Sequence, residues 1–249
     1  MKIGFLVALA AALAVSNLTQ AAEIKVLSTQ ATEEAYNELV PQFEKATGHK
    51  VTTVFTGTLG ANKRIAAGEA YDLLIMSGGS IDEHIKGGKA APGSRVDLAK
   101  SGVGVAVKAG APKPSIKTVA DLKATLLSAK SIGYSTGPSG NYMLTLFDKL
   151  GIADQVKPKL KQTPTGVFVG SIIASGEVEI GFQQVSELSH FKGIDFVGPL
   201  PEEVQNYTTF ASALFADSKQ ADAAKALQKF LAAKTSGDAY KKRGMVPTS

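Results

Sequence analysis

The sequence of 249 residues contains no cysteine and no tryptophan, and aromatic residues make up only 7% of it. Without cysteine there can be no disulfide, no thiolate metal site and no lipid on an N-terminal cysteine. The histidines, His49, His84 and His190, are far apart, and none has a second histidine at the spacing of a metal site. We therefore predict a protein that folds without cross-links and uses no metal or cofactor.

Charge is not concentrated anywhere in the chain. The formal net charge is +5, and the densest basic groups are two short runs at 157–161 and 241–243. With few aromatic residues among these runs, a nucleic-acid surface is not expected, and the lysines are interpreted as solvated faces.

The common catalytic motifs are missing as well. Gly137–Asn141 has asparagine at the last position, where a nucleophile elbow requires its second glycine. Gly102–Gly104 lacks the third glycine of a dinucleotide-binding fingerprint. No lysine follows a glycine-rich loop as a phosphate-binding loop requires. The sequence predicts a binding protein and not an enzyme, with a secreted hydrolase or transferase using Ser139 or Asp72 as a minor alternative.

The N-terminus has the pattern of a secretory signal. Lys2 is followed by an apolar run at 3–15 and then by small and polar residues, with Thr19 and Ala21 as the small residues of a cleavage site. The apolar run is shorter than the roughly 20 residues of a membrane helix. We predict that residues 1–21 are a signal peptide and that the rest of the chain works in a Gram-negative periplasm.

Two series of alternating strands and helices follow. Between residues 24 and 88, apolar runs of strand length alternate with amphipathic stretches that end in glycine. A connector with glycine and proline at 110–114 precedes a second series, and Gly198–Pro201 marks a return. This pattern predicts an α/β fold with two lobes, each an open, mostly parallel sheet flanked by helices, joined by two crossing segments. Lobe 1 is predicted to contain residues 22–102 and 206–249, and lobe 2 residues 103–205.

Polar turns between a strand and a helix recur along the chain. The clearest is Ser135–Tyr142, and similar turns occur at 27–32, 55–60 and 163–167. The first turn of a helix presents unpaired backbone N–H groups and the positive end of the helix dipole, so it can bind an anion without a charged side chain. Ligands of open α/β sheets lie outside the carboxyl ends of the strands, and we therefore expect these turns to surround one cleft.

Several segments, taken together in their order and spacing, carry a resemblance to a known family: Ile24–Leu27, Gln42–Gly48, Lys63–Gly68, Tyr71–Ile75, Gly137–Gly140 with Tyr142, and Tyr240–Gly244. The chain resembles the periplasmic substrate-binding proteins of ABC importers with the type II fold, and within them the molybdate-binding branch. The resemblance covers nearly the whole chain after the signal. It implies that hydroxyls, backbone N–H groups and a tyrosine hydroxyl hold a bound oxyanion.

By position in that family, Thr58 corresponds to a serine-rich turn and Ser139 to a backbone N–H that contacts the anion. Two positions depart from the pattern, since Ala31 stands where the family has serine and Gln184 where it has tyrosine. A side-chain amide accepts hydrogen bonds as well as donating them, whereas a fully ionised oxyanion only accepts. The ligand is therefore left open between a molybdate-like or tungstate-like oxyanion and a small organic acid.

The predicted ligand-binding residues come from the polar turns and from the strand that ends at Gln184. Local capping of the next helix is the alternative role for those with hydroxyls. Lys63 and Arg64, near the second turn, are candidate partners for a carboxylate ligand or else part of a solvated face. The ligand-binding set is Ser28, Thr29, Thr58, Ser139, Gly140, Gly166 and Gln184.

Together these features predict a periplasmic solute-binding protein that captures a small anion between its lobes for ABC-type import. Its expected partners are the anion and an ABC permease in the inner membrane, with no nucleic acid, and the protein is expected to be a monomer. A two-lobed ligand sensor for a membrane receptor is the alternative, because it would have the same cleft.

Overall fold

The computed structural model describes residues 21–248, so the predicted signal peptide lies outside the described residues except for Ala21. The strands are β1 (Glu23–Thr29), β2 (Lys50–Thr56), β3 (Leu73–Ser77), β4 (Val96–Ser101), β5 (Val103–Lys108), β6 (Ile132–Tyr134), β7 (Leu160–Gln162), β8 (Ile180–Gln184), β9 (Ile194–Pro199), β10 (Thr208–Leu214) and β11 (Val246–Pro247). The α-helices are α1 (Glu33–Thr47), α2 (Thr58–Ala66), α3 (Gly78–Lys86), α4 (Val119–Ser128), α5 (Pro138–Lys149), α6 (Ala153–Val156), α7 (Val169–Ala174), α8 (Val185–Leu188), α9 (Ala221–Leu231) and α10 (Gly237–Lys241). Short 3-10 helices cover Gln30–Thr32, Lys157–Lys159, Glu202–Val204 and Lys234–Ser236.

The strands form two sheets with helices packed against them. The first sheet has the order β11-β4-β10-β3-β1-β2, and the second has the order β7-β6-β8-β5-β9. The predicted two-lobed α/β fold is confirmed, although both sheets are mixed where mostly parallel sheets were expected. Every antiparallel pair includes β4, β5 or β10. These strands flank the points where the chain passes between the sheets, so no crossover helix sets their direction.

The chain passes from the first sheet to the second at Gly102, between β4 and β5, and returns through residues 200–207, between β9 and β10. Gln205 ties the two crossings together, because its Oε1 accepts from the Val103 N–H at 2.7 Å and its Nε2 donates to the Val103 carbonyl at 3.1 Å. The segment 110–114 follows β5 and is not a crossing, which corrects the prediction of a connector there. The division into lobes that move separately stays a prediction.

Apolar side chains from strands and helices form the cores on both sheets. Leu73–Met76 of β3 are fully buried, as expected for a strand covered on both faces. Helix α1 buries the predicted face, including Leu39 and Phe43, and ends at Gly48, whose φ of 76° lies in the left-handed region. Within residues 21–248 no helix is long and apolar enough to cross a membrane.

The carboxyl ends of β1, β6 and β8 meet the start of α2 in the gap between the two sheets. The polar turns are therefore brought together by the topology, since each follows the end of a strand at this gap.

Candidate functional site

A small cavity lies between the sheets at the ends of these strands. Its volume is about 40 Å³, which is room for roughly three water molecules at 10–15 Å³ each. One carboxylate or one tetrahedral oxyanion has a similar size. The wall is formed by residues 29–31, 57–58, 135–139, 166–167 and 183–184, with Glu187 and Phe210.

Two helix starts contribute backbone donors to this wall. Gly57 precedes α2 and Gly137 precedes α5, and neither helix has a side-chain cap at its start. The first N–H groups of each helix have no partner within the helix, so they are open to a ligand. Pro138 has no N–H, which makes Ser139 the first donor of α5. Among residues 21–248 no lysine or arginine lies in the wall, so the helix starts are the positively polarised groups that it offers an anion.

Hydroxyl groups add further donors. The Thr29 side chain is only 4% exposed, and its Oγ1 has no hydrogen-bond partner among the described residues. Ser139 is 1% exposed, and its Oγ lies 3.2 Å from the Ser135 Oγ. Ser135 Oγ also accepts from the Gly137 N–H at 3.2 Å, which holds the turn before α5.

The structure brings five of the predicted ligand-binding residues into the cavity wall and places the others elsewhere. Ser28 is fully buried, with its Oγ 3.1 Å from the Thr32 Oγ1. Gly140 lies behind the turn, where a Cβ would overlap the Ser135 carbonyl oxygen. The residues in the wall are Thr29, Thr58, Ser139, Gly166 and Gln184.

Lys63 and Arg64 do not lie in the cavity wall. The Arg64 guanidinium donates to both carboxylate oxygens of Glu69, at 3.1 and 2.9 Å, on the exposed side of α2. Neither side chain therefore stands where it was expected to pair with a ligand carboxylate. Helix α2 points its N-terminal turn toward the cavity, whereas these residues come one to two turns later.

Gln184 contributes to the wall, but its side-chain amide is used inside the protein. With its nitrogen toward the crossing, it donates to the carbonyls of Ser101 at 2.9 Å and Gly102 at 3.2 Å and accepts from the Thr208 Oγ1 at 3.1 Å. Three of the four hydrogen-bonding positions of the amide are thus occupied. Its side chain holds the strands at the crossing, and its role in ligand binding stays a prediction.

Residues of the first half approach Gly166 of the second half across the gap between the sheets. Gly166, with a φ of 82°, accepts a hydrogen bond at its carbonyl from the Gln30 Nε2 at 3.0 Å. A Cβ on Gly57 would lie 3.2 Å from the Gly166 nitrogen. The turns from the two halves therefore approach closely enough to favour glycine at both positions.

Glu187 is a titratable residue of the wall that was not predicted from the sequence. Its carboxyl Oε1 accepts from the Gln183 Nε2 at 2.9 Å, and the Gln183 Oε1 accepts from the Val169 N–H at 2.7 Å. Burial raises the pKa of Glu187 to about 8, although hydrogen bonds from Gln184 and Gln183 lower it, while the charge of Glu33 adds to the rise. A glutamate in the first turn of a short helix is a common dipole partner, so it gave no distinct signal. The helical spacing of Gln183 and Glu187 was the one available sign.

A second, larger cavity adjoins the first. Its volume is about 350 Å³, and Gln30 and Glu187 belong to the walls of both cavities. Lys192 also lies in the wall of the larger cavity, where it is exposed and pairs with no carboxylate in the described part of the chain. No group of three or more histidine, aspartate or glutamate residues within 21–248 is placed to hold a metal ion.

Comparison with known proteins assigns the chain to a family. The family model for bacterial extracellular solute-binding proteins matches residues 24–246. The chain belongs to this family. The solute-binding protein is 35% identical over 230 residues to an aconitate isomerase from a Pseudomonas species, which covers 90% of this chain and 87% of the relative. It is also 30% identical over 172 residues to the molybdate-binding protein ModA of Azotobacter vinelandii, covering 68% of this chain and 67% of that protein.

Solved structures confirm the fold of this solute-binding protein. The periplasmic molybdate-binding protein of Azotobacter vinelandii superposes with a TM-score of 0.75 at 19% identity, covering 90% of this chain and 98% of that structure. Together with the family model and the 30% identity to ModA, this fold confirms the resemblance to the molybdate-binding branch.

Proposed function

We propose that this solute-binding protein captures a small organic anion by a carboxylate group, in the periplasm, and delivers it to an ABC permease. The cavity between the sheets is the site, and the protein acts as a monomer without metal or cofactor. The convergence of two uncapped helix starts and the unpartnered Thr29 hydroxyl on one small cavity carries this proposal.

The shape of the site favours an organic acid over a metal oxyanion. A tetrahedral oxyanion would occupy the small cavity alone, whereas the larger cavity beside it gives space for the rest of a carboxylic acid. Exposed Lys192 in the wall of that space can attract a second carboxylate, and it shares this wall with the acidic Glu33 and Glu34. The relative named aconitate isomerase, which matches a larger part of this chain than the molybdate-binding relative does, supports the same choice.

A panel of thermal unfolding measurements tests the ligand class. Molybdate, tungstate, sulfate, phosphate, citrate, and cis- and trans-aconitate are added in turn, with EDTA present. At about 100 times the Kd, a ligand that binds only the folded state adds about 2.7 kcal/mol to the free energy of unfolding. That is roughly 5 to 10 °C in Tm for a chain of this size. We expect shifts with the carboxylates, and shifts with molybdate and tungstate alone would contradict the proposal.

The position of the site is tested by Ser139→Asp. The new carboxylate would stand against the bound anion, so we expect the calorimetric Kd for aconitate to rise more than about tenfold. Asn141→Asp is the matched control, because Asn141 lies in the same first turn of α5 but is exposed, and its Kd should stay within about twofold. Unfolding curves without ligand establish that both variants fold. Equal affinities of Ser139→Asp and wild type would place the site elsewhere.

The buried carboxyl of Glu187 favours a second candidate function at the same cleft, which is isomerisation of an unsaturated polycarboxylate. An acidic group in an anion-binding wall serves simple capture poorly, because its ionised form repels the ligand. Together with the relative named aconitate isomerase, this supports a catalytic role. Proton NMR of cis-aconitate incubated with the protein tests it, since a pure binding protein leaves the ratio of cis to trans isomers at the value of a protein-free control.

A further inference from the structure

We propose that Glu187 is the catalytic acid–base residue of this cleft, which takes a proton from the carbon next to an anchored carboxylate and returns it two carbons along. The inference rests on the second of the functions proposed above, isomerisation of an unsaturated polycarboxylate.

The relation of the two cavities sets where the substrate carbons must lie. The small cavity, of about 40 Å³, holds one carboxylate and little more, and the rest of the molecule must extend into the cavity of about 350 Å³. Gln30 and Glu187 stand in the walls of both, so the carbon that joins the anchored carboxylate to the rest passes beside them. Of the two, only Glu187 can take up and release a proton.

The Glu187 carboxyl is held in a defined orientation. Gln183 Nε2 donates to its Oε1 at 2.9 Å, and Gln183 is itself fixed by the Val169 N–H at 2.7 Å. Among residues 21–248, no side chain donates to the second carboxyl oxygen, Oε2. The bond from Gln183 and a backbone hydrogen bond from Gln184 therefore orient the carboxyl, and no described side chain competes with the substrate for Oε2.

The surroundings of Glu187 set the pKa of its carboxyl group. The titratable groups that face it are Glu33 and Glu34 at the start of α1, and His190 and Lys192 beyond α8. His190 Nε2 donates to the Lys242 carbonyl at 2.8 Å. Burial, assisted by the charge of Glu33, raises the pKa of Glu187 to about 8. A proton carrier is most effective when its pKa lies near the working pH.

The step conserves atoms and electrons. Aconitate is a three-carbon chain with one double bond and a carboxylate on each carbon. Ionised Glu187 takes a proton from the methylene carbon, and the C–H electron pair forms a new double bond to the central carbon. The electrons of the original double bond pass to the far carbon and its carboxylate, and protonated Glu187 then gives the proton to that carbon. The double bond has moved by one position, and its new geometry follows the rotamer held in the cleft.

The test follows isomerisation and deuterium uptake of cis- and trans-aconitate in D₂O by proton NMR. We expect wild type to interconvert the isomers and to exchange the methylene proton for deuterium. Glu187→Gln should lower both rates at least a hundredfold, with the calorimetric Kd for aconitate changed less than about fivefold. Glu83→Gln is the control, because Glu83 is 73% exposed on α3, and both of its rates should equal those of wild type.

The outcomes separate this inference from capture of the anion. If wild type binds aconitate but neither isomerises it nor exchanges deuterium, the role of Glu187 is refuted and the capture function stands. If aconitate does not bind at all, the role of Glu187 is refuted, and the thermal unfolding panel with citrate decides the capture function separately. Wild-type rates in Glu187→Gln would also overturn the assignment. Should that variant not fold, the wild-type kcat/KM between pH 6 and 9.5 decides the matter: a rise with pH to a plateau supports Glu187 as base, and a flat profile contradicts it.

Discussion

Single side chains with neutral donors determine what the cleft can bind. Thr29 is the clearest case, because its hydroxyl is buried and unpartnered among the described residues. A buried hydroxyl without a hydrogen bond costs about 1–3 kcal/mol. The folded protein is destabilised by this amount at the cavity wall, and a bound anion that accepts a hydrogen bond from the hydroxyl would offset the loss.

Replacement of Thr29 by valine separates stability from binding. Thr29→Val keeps the shape but removes the unpartnered hydroxyl, so the free energy of unfolding should stay equal or rise by about 1 kcal/mol, while the Kd for aconitate rises about tenfold or more. Chemical denaturation and calorimetry measure the two effects. Thr32→Val is the control, because it breaks the 3.1 Å contact with Ser28 Oγ and should lower stability with little change in Kd. A destabilised Thr29→Val with unchanged affinity would show that the hydroxyl has an internal role.

Glu187 should make the stability depend on pH. Burial raises its pKa from an ordinary 4.5 to about 8 in the folded state, so the folded protein holds this proton at pH values where the unfolded chain has lost it. The contribution is fully present below about pH 4.5 and is lost as the pH rises toward 8. Because Glu187 as a whole residue is only partly buried, solvent screening reduces this effect, and we expect the loss to be about 2 kcal/mol.

The comparison with Glu187→Gln isolates this effect from other titrating groups. The variant lacks the ionisation, so its free energy of unfolding relative to wild type should increase from pH 5 to pH 9 by about 2 kcal/mol. Urea denaturation at several pH values gives the difference. A difference that is constant across this range would mean that the carboxyl has an ordinary pKa.

At the scale of elements, the turn between β6 and α5 shows why small residues are required before a helix start. Gly140 has no positive φ, and it is needed because a Cβ would overlap the Ser135 carbonyl oxygen. The same turn presents the N–H groups of α5 to the cavity. The backbone packing of this turn and its role as a donor therefore depend on each other.

Gly140→Ala should disturb both the packing of this turn and its role as a donor to the ligand. The added methyl forces the turn apart, and we expect a loss of about 2 kcal/mol in the free energy of unfolding together with weaker binding of aconitate. Gly79→Ala in α3 is the control, because a Cβ there meets nothing within 4 Å, and it should change stability by between zero and about 1 kcal/mol in the favourable direction. Equal behaviour of the two variants would show that the turn can relax.

At the scale of the whole molecule, the two halves touch across the cleft. The Gln30 to Gly166 hydrogen bond of 3.0 Å and the close approach of Gly57 to Gly166 link turns from opposite sheets. The chain itself passes between the sheets at the two crossings, Gly102 and residues 200–207. We propose that the lobes open by a hinge at these crossings and close on the ligand.

Small-angle scattering tests the closure. With saturating aconitate, the radius of gyration should fall relative to the ligand-free protein, because the bound anion favours the state in which Gln30 reaches Gly166. Sulfate at the same ionic strength is the control if it gives no thermal shift. Scattering curves that superpose with and without aconitate would defeat the hinge.

The amino-acid sequence alone predicted the α/β class, the two lobes and the turns around the cleft. Hydrophobic periodicity and glycine stops act over a few residues, as in α1 with its buried face and its end at Gly48. The same local patterns allowed three ligand-binding residues of the wall to be proposed, namely Thr29, Thr58 and Ser139. Each lies at the end of a strand or at the start of a helix, and strand ends converge in such folds.

Tertiary structure decided what each side chain does at that place. Gln184 turns its amide to Ser101 and Gly102, and Arg64 pairs with Glu69 outside the cavity. Glu187 becomes a buried acid only because segments far from it in the sequence pack around it. Side-chain direction and desolvation depend on these long-range neighbours, which a local pattern does not contain.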